Sequence, residues 1–152
     1  METVRDILTA KGNAIVSVGA EDFVITALVA MAEKNIGAIL VKNDAGDLVG
    51  IFSERDFARK IIVRGRSCDT TKVKEIMTPD PLFVEPDTTI SACMRLMTDN
   101  KFRHLPIKKN GKVIGVISIG DVVKAMIALQ DHIISEQAFE IGQMERTIPG
   151  AI

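Results

Sequence analysis

Aromatic side chains are scarce in this sequence, which has no tryptophan, no tyrosine and only six phenylalanines among its 152 residues. Proteins that bind single-stranded nucleic acid stack the bases on aromatic rings, and few are available here. Charge of one sign is not in excess either, because the formal net charge is −1. Without a net field for polyanions or anionic lipid, we expect neither nucleic-acid binding nor membrane binding.

Long hydrophobic runs and patterned cysteines are also lacking. No apolar run reaches the ~18 residues that span a bilayer, and the segment METVRDILTAKG has no apolar stretch typical of a signal peptide. The two cysteines, Cys68 and Cys93, follow no metal-binding or redox spacing. We therefore expect a cytoplasmic protein without a metal site, and its 47% apolar content suffices for a packed core.

The sequence does contain an internal repeat. GIFSERDF at 50–57 and GVISIGDV at 115–122 share a glycine, two apolar residues, a serine, two variable residues and an aspartate. A shift of 65 aligns the copies without a gap from Ala27 to Val122, while TVRDILT and KVKEIMT match at an offset of 69. Each copy is predicted to be a β-α-β-β-α unit. In the first helix, the spacing predicts an apolar face with Ile25, Leu28, Val29 and Ala32.

The Ser-x-x-Asp frame, Ser53 with Asp56 and Ser118 with Asp121, allows two interpretations. It is a helix cap worth about 1 kcal/mol, in which serine and aspartate satisfy the first backbone N–H groups. It is also suited to a nucleotide, because the glycine before it permits close approach and a helix start attracts phosphate. An acid at such a strand-to-helix junction is a usual partner for ribose hydroxyls.

The doubled unit, with this frame closing each copy, resembles a tandem pair of CBS domains (a Bateman module) of the stand-alone bacterial type. The resemblance extends from about Val4 to about Leu129. It implies an α+β fold of two β-α-β-β-α CBS repeats packed as a pseudo-twofold pair, plus a C-terminal helical extension. The boundaries are predicted at 3–66 for repeat 1, 72–130 for repeat 2 and 131–152 for the helical tail.

The resemblance also implies two clefts between the repeats that bind adenosine-containing ligands. In one cleft, Asp121 matches the acid that holds the ribose hydroxyls, and Ser118 matches a hydroxyl that contacts phosphate. Arg103 and His104 match a basic pair that faces the phosphates. The opposite wall of this cleft would be formed by Lys11, Ile15 and Val16.

By the same resemblance, Asp56 and Ser53 would take the ribose and phosphate roles in the second cleft, and Arg55, inside the frame, is a further candidate to bind phosphate. The opposite wall would be formed by Thr78, Pro81 and Leu82.

The two clefts are expected to differ in their basic residues. In the ungapped alignment, Arg103 and His104 of repeat 2 fall on Ala38 and Ile39 of repeat 1. The Asp56 cleft would then rely on nearby arginines. The Asp121 cleft is expected to suit a phosphorylated adenosine better.

The predicted function is a regulatory sensor that binds AMP, ADP or ATP and signals to an unidentified partner protein by conformational change. The sequence has no P-loop, no G-x-G-x-x-G and no catalytic set, so we expect no enzymatic activity and no required cofactor. One alternative is the same fold binding NAD(H) or S-adenosylmethionine. Another is a module for protein interaction or dimerisation that senses nothing. The amphipathic tail predicts a homodimer, formed through the CBS faces, the C-terminal helix or both.

Overall fold

A computed structural model of the chain describes residues 3–12 and 14–147, with side chains described up to residue 143. The α-helices are α1 (Val4–Lys11), α2 (Val24–Lys34), α3 (Glu54–Asp56), α4 (Ile90–Asn100) and α5 (Ile119–Thr147). The strands are β1 (Ser17–Gly19), β2 (Ala38–Lys42), β3 (Leu48–Ser53), β4 (Thr78–Pro79), β5 (His104–Lys109) and β6 (Lys112–Ser118). A π-helical turn, Phe57–Ile62, continues α3, and a 3-10 turn, Val73–Glu75, precedes β4.

Within the described residues, the strands form two sheets. One has the order β1-β2-β3-β4, with β1 parallel to β2 and the remaining pairs antiparallel. The other pairs β5 with β6 in an antiparallel hairpin, and Val84 adds a parallel bridge at Ile107. The predicted fold class is therefore confirmed: two α+β repeats, followed by a C-terminal helix. The described helices include none long and apolar enough to cross a membrane.

The structure corrects the repeat alignment in its first half. Helices α2 and α4 are related by 66 residues, not 65, and so are their buried positions: Val24, Ala27 and Met31 against Ile90, Cys93 and Met97. At the glycines that precede the Ser-Asp frames, Gly50 and Gly115, the two repeats are again related by 65 residues. Gly50 pairs with Val41 and Gly115 pairs with Ile107, so the second hairpin is one residue shorter. An ungapped match concealed this difference because both hairpins contain similar turn residues.

The apolar face predicted for α2 is also wrong in part. Ile25 and Val29 are exposed, whereas Ala27 and Met31 are buried and Leu28 packs at the edge of the core. All five residues are apolar, so periodicity alone could not fix which stripe of the helix faces the sheet. The first strand of the β-α-β-β-α unit predicted for repeat 2 is reduced to the single bridge at Val84.

Each repeat completes its core with the leading segment of the other repeat (3–11 in repeat 1 and 72–77 in repeat 2). In the core of repeat 2, the contributions of α1 are Val4, Ile7 and Leu8, packed with residues such as Ile90, Leu105 and Ile117. In the core of repeat 1, Val73 and Ile76 pack with residues such as Met31, Phe52 and Ile61. Backbone bonds follow the same exchange: Val4 N–H donates to the Thr88 carbonyl, and Val73 N–H donates to the Asp22 carbonyl. The two repeats are thereby interlocked.

The first part of helix α5 packs against the core of repeat 2, and the later part does not. Val122 and Ala125 are buried in the core of repeat 2, and Met126 packs against it. Side chains from 130 to 141 are exposed. The last five residues of the predicted tail, 148–152, lie outside the described residues.

Candidate functional site

Both Ser-Asp frames form the cap that the sequence predicts. Ser53 N–H donates to Asp56 Oδ2 at 3.0 Å, and Asp56 N–H donates back to Ser53 Oγ at 3.2 Å. Ser118 and Asp121 repeat this exchange at 2.8 and 3.2 Å. Each carboxylate is thus fixed at the junction where a strand becomes a helix.

The start of α3 offers fewer free N–H groups to phosphate than the sequence suggested. Glu54 N–H already donates to the Gly37 carbonyl at 3.0 Å, and Asp56 N–H is used by the cap. At α5, Ile119 N–H donates to the Arg103 carbonyl in the same manner. Phosphate binding at these junctions must therefore depend mainly on side-chain cations.

Each carboxylate is also paired with a lysine. Lys60 Nζ lies 3.1 Å from Asp56 Oδ1 and donates to the Ile76 carbonyl at 3.0 Å. Lys11 Nζ lies 2.7 Å from Asp121 Oδ2 and donates to the Val116 carbonyl at 3.0 Å. Lys60 comes from the same helical segment as Asp56, whereas Lys11 comes from α1 of the other repeat.

The two partners of Asp121 lower the pKa of its carboxyl group. Burial works to raise the pKa of Asp121, but the hydrogen bonds from Lys11 Nζ and from Ser118 N–H outweigh it and lower the pKa. Asp121 is therefore held as a carboxylate at neutral pH.

A cleft of about 670 Å³ opens beside Asp56, and both repeats line it. This volume is in the range of small-molecule sites. Repeat 1 contributes Gly37, Ile51, Ser53, Glu54, Arg55, Asp56, Arg59 and Lys60. The part of the chain that follows contributes Thr78, Lys101, Arg103 and His104.

The Asp56 cleft is rich in positive charge. Among the described residues that line it, five are lysine or arginine and two are acidic. Arg55 crosses from one repeat to the other, since its Nη1 donates to the Lys101 carbonyl at 3.3 Å. The cleft can therefore hold an anionic group between the two repeats.

Arg103 and His104 lie at the frame of repeat 2, where His104 pairs with Ser118 across β5 and β6 and the Arg103 carbonyl accepts a hydrogen bond from Ile119 N–H. They also line the cleft of Asp56, a contact with the opposite repeat that the sequence did not predict. His104 is so close to repeat 1 that a Cβ added at Gly37 would be 3.6 Å from its ring. The reason is that the repeats face one another, so the turn before β5 lies over the frame of the opposite repeat. With the corrected offset, Gly37 and Ala38 are the counterparts of this basic pair.

His104 lies between the two carboxylate sites. Burial lowers the pKa of its imidazole, and the positive charge of Lys11 lowers it further. The carboxylates of Asp121 and Glu54 act in the opposite direction but do not prevail. The ring is therefore neutral at pH 7, in a place where an incoming anion would favour its protonation.

The surroundings of Asp121 are narrower. A groove of about 320 Å³ between α1 and α5 is lined by Ile7, Ala10, Lys11, Asp121, Lys124, Ala125 and Ala128. Lys11 and Asp121 are thus brought together, as the sequence predicted. Ile15, Val16 and Ser118 are not among the lining residues of this groove, and Pro81 and Leu82 are not among those of the Asp56 cleft.

Lys60, Lys101 and Glu54 line the Asp56 cleft but were missed from the sequence. Lys60 follows Asp56 by four residues, and this helical spacing for an ion pair could have indicated it. Lys101 had no comparable signal, because only the packing of the two repeats brings it to the cleft. No group of His, Cys, Asp and Glu side chains within the described ranges is arranged to hold a metal ion.

Comparison with known proteins agrees with this architecture. The family model of the CBS domain matches the chain twice, at residues 4–63 and 73–128. The chain belongs to the CBS-domain family. A CBS-domain protein of solved structure from Burkholderia ambifaria shares 50% identity and superposes with a TM-score of 0.80, over 83% of this chain and 94% of that protein. The tandem CBS pair is therefore established by both sequence and fold.

Curated CBS proteins of Arabidopsis thaliana match the same repeats. CBSX3, named as a mitochondrial CBS domain-containing protein, is 41% identical over 133 residues, which cover 82% of this chain. CBSCBSPB5 is 34% identical over 102 residues, which cover 67% of this chain. The chain spans 65% of the first relative and 19% of the second. The likeness therefore concerns the CBS pair rather than the whole of these proteins.

Proposed function

We propose that this CBS pair is a regulatory sensor whose main ligand is an adenosine polyphosphate, ADP or ATP, bound in the Asp56 cleft. The observation that carries the proposal is the composition of this cleft. It joins the Ser53–Asp56 frame of repeat 1 to Arg103 and His104 of repeat 2. CBS domains bind adenosine-containing ligands generally, which supports the choice of the nucleoside.

Within the cleft, the ribose hydroxyls would donate to Asp56, whose carboxylate is fixed by the cap. Lys60 would have to share or leave this carboxylate when the ribose binds. The phosphates would lie among Arg55, Arg59 and Arg103, which come from both repeats. Because the ligand contacts both repeats, its binding favours one relative arrangement of them, and a regulated protein would respond to that arrangement.

The excess of positive charge distinguishes the candidate ligands. ATP and ADP present more negative charge than AMP or NAD(H), so they gain more from the five cationic side chains. S-adenosylmethionine has no phosphate and carries a sulfonium cation, which this cleft would repel. We therefore rank ATP and ADP first, AMP and NAD(H) next, and S-adenosylmethionine last.

Calorimetry and thermal shift with these five ligands would test the proposal. We expect ATP or ADP to bind with a Kd below about 100 µM, with an affinity that falls as salt rises. No response to any adenosine ligand would overturn the proposal. It would instead favour the reading of an interaction module, in which the frames act only as helix caps.

The proposal includes a homodimer, a cytoplasmic location and no catalytic activity, as the sequence predicted. Release of phosphate from ATP by the pure protein would contradict the last part. Fractionation of the native cells would test the location.

A further inference from the structure

The leading segments of the two repeats are related in sequence but differ in structure. TVRDILTAK at 3–11 aligns with KVKEIMTPD at 72–80 at an offset of 69. In repeat 1 the segment is helical as far as Lys11, whereas in repeat 2 a short 3-10 turn is followed by the strand β4 at Thr78–Pro79. Pro79 cannot continue a helix, but its counterpart Ala10 favours one. This substitution therefore permits α1 a last turn, Thr9–Lys11, that repeat 2 does not have.

The two segments cover equivalent strand edges in different ways. On β3, Ile51 pairs with Thr78 of β4, so the outer edge of that strand is covered by backbone. The counterpart of Ile51 on β6 is Val116, 65 residues later. The carbonyl of Val116 accepts a hydrogen bond from Lys11 Nζ at 3.0 Å. A lysine side chain therefore stands on β6 where a strand stands on β3.

This difference decides how open each Ser-Asp frame is. Next to β4, Asp56 borders the cleft of about 670 Å³, and Thr78 is one of its lining residues. Next to α1, Lys11 Nζ lies 2.7 Å from Asp121 Oδ2, and the groove measures about 320 Å³. Thr9, the counterpart of Thr78, does not line this groove, and its hydroxyl donates to a carbonyl within α1. The last turn of α1 thus fills the place that is open beside Asp56.

We propose that the last turn of α1 is a plug that closes a second nucleotide site at Asp121. The site opens when this turn extends along β6, as β4 extends along β3. With the plug in place the chain binds one nucleotide, in the Asp56 cleft, and without it the chain binds two. The plug rests on the proposed function for the class of its ligand, an adenosine phosphate.

The residues left behind by the plug are suited to that ligand. The Ser118 N–H, which donates to Asp121 Oδ2 at 2.8 Å, holds the carboxylate in position independently of Lys11. Lys124 lines the same groove and forms no ion pair with any residue that the structure describes. Departure of Lys11 therefore leaves a fixed carboxylate for ribose hydroxyls and a cation for phosphate.

Ala10→Pro would remove the plug, because it recreates the Thr-Pro sequence of repeat 2. A proline at this position lacks the N–H of the last helical turn and clashes with the carbonyl of Asp6. The backbone chemical shifts of Thr9 and Lys11 should change from helical to extended values. In calorimetry with ATP, we expect one nucleotide per chain for the wild type and two for Ala10→Pro, the second with a Kd below about 1 mM. Adding Asp121→Asn to Ala10→Pro should remove the gained nucleotide.

Lys11→Ala tests the plug without breaking the helix. It removes the ammonium group that holds Asp121, so it should also gain a second nucleotide, bound more weakly than in Ala10→Pro. Lys124→Ala, which removes the other lysine of the groove, is the matched control and should still bind one.

Two nucleotides on the wild type would overturn the plug. So would the absence of a gained site in both Ala10→Pro and Lys11→Ala, or a gained site that Asp121→Asn leaves intact. These results are separate from the proposed function. A wild type that binds no nucleotide contradicts the Asp56 site, whereas the gain from wild type to variant depends on the plug alone.

Discussion

Asp56 and Asp121 occupy equivalent positions in the two repeats, but they meet different surroundings. Asp56 borders a wide cleft with an excess of cations, whereas Asp121 borders a narrow groove and binds Lys11. Lys11 and the Ser118 N–H both use the Oδ2 atom of Asp121. A ribose at Asp121 would therefore compete with a lysine that comes from another element.

Replacing each aspartate should separate the two sites. We expect Asp56→Ala to weaken ATP binding by about 10- to 100-fold, because it removes the acceptors for the ribose hydroxyls. Asp121→Ala should change the affinity by less than about 3-fold, because that residue lies outside the cleft. Calorimetry would measure both. Asp56→Asn, which keeps one oxygen for the cap, controls for lost helix capping, and equal losses at the two positions would contradict the assignment.

His104 should make nucleotide binding depend on pH. Burial lowers the pKa of its imidazole in the free protein, and bound phosphate would raise that pKa, so binding takes up a proton. We therefore expect affinity for ATP to rise as the pH falls from 8 to 6. His104→Gln should flatten this dependence, and an equally steep profile in that variant would exclude His104 as its source.

The Lys11–Asp121 pair should affect stability at neutral pH and lose its effect in acid. Because the pKa of Asp121 is lower in the folded state, its stabilisation is present above its unfolded pKa of about 4 and is lost as the pH falls through the folded value. Lys11→Met should cost about 1 kcal/mol at pH 7, since Lys11 is partly exposed. Thermal unfolding between pH 7 and pH 3 would measure this, with Lys124→Met as the control. A cost that stays constant down to pH 3 would argue against the ion pair.

At the scale of elements, each strand before a Ser-Asp frame touches a leading segment through a glycine. A Cβ at Gly50 would clash with Met77 Sδ and lie 2.9 Å from the Thr78 carbonyl oxygen. A Cβ at Gly115 would lie 3.0 Å from the flexible end of Leu8 and in ordinary contact with Ile107 Cδ1 at 3.7 Å. The backbone of β4 lies against β3, whereas α1 meets β6 through its side chains.

This difference predicts unequal costs for the same substitution. Gly50→Ala should destabilise the protein by about 1–3 kcal/mol, because a backbone carbonyl cannot move aside as a side chain can. Gly115→Ala should cost less than about 1 kcal/mol. Chemical denaturation of the two variants would compare them directly, and a larger cost at Gly115 would contradict the packing described here.

The sequence predicted the order of the elements well and their mutual arrangement poorly. The frames around Asp56 and Asp121 were found because their residues are close in the chain and repeat. The position of Arg103 depended on which repeat faces which, and no pattern within one repeat contains that information. Lys101 enters the site through the same long-range packing, whereas Lys60 follows Asp56 by four residues in one helical segment. The choice between two apolar stripes of α2 was equally open, because helix periodicity does not show where the sheet lies.

At the scale of the whole molecule, the two sequence repeats do not coincide with the two packed hydrophobic cores. The two matches to the CBS-domain family begin at residues 4 and 73, but the leading segments are exchanged between the cores. A fragment of residues 1–66 lacks Val73 and Ile76 and leaves the apolar face of α1 uncovered. A fragment of residues 14–79 contains a complete first core.

These two fragments should behave differently. We expect residues 14–79 to show a cooperative thermal transition, and residues 1–66 to show none, although the two fragments are equal in length. Circular dichroism during heating would measure this. A cooperative transition in residues 1–66 alone would show that the exchanged segment contributes little to the first core.

The bond between Lys11 and Asp121 joins residues 110 positions apart in the chain. During synthesis, α1 leaves the ribosome long before its binding surface on β6 and α5 exists. The first core can form once residue 77 has emerged. Val4, Ile7 and Leu8 can be buried only after the residues of the second core have been synthesised. The segment made earlier than either core is therefore among the last to dock, and its apolar face is available to chaperones throughout that interval.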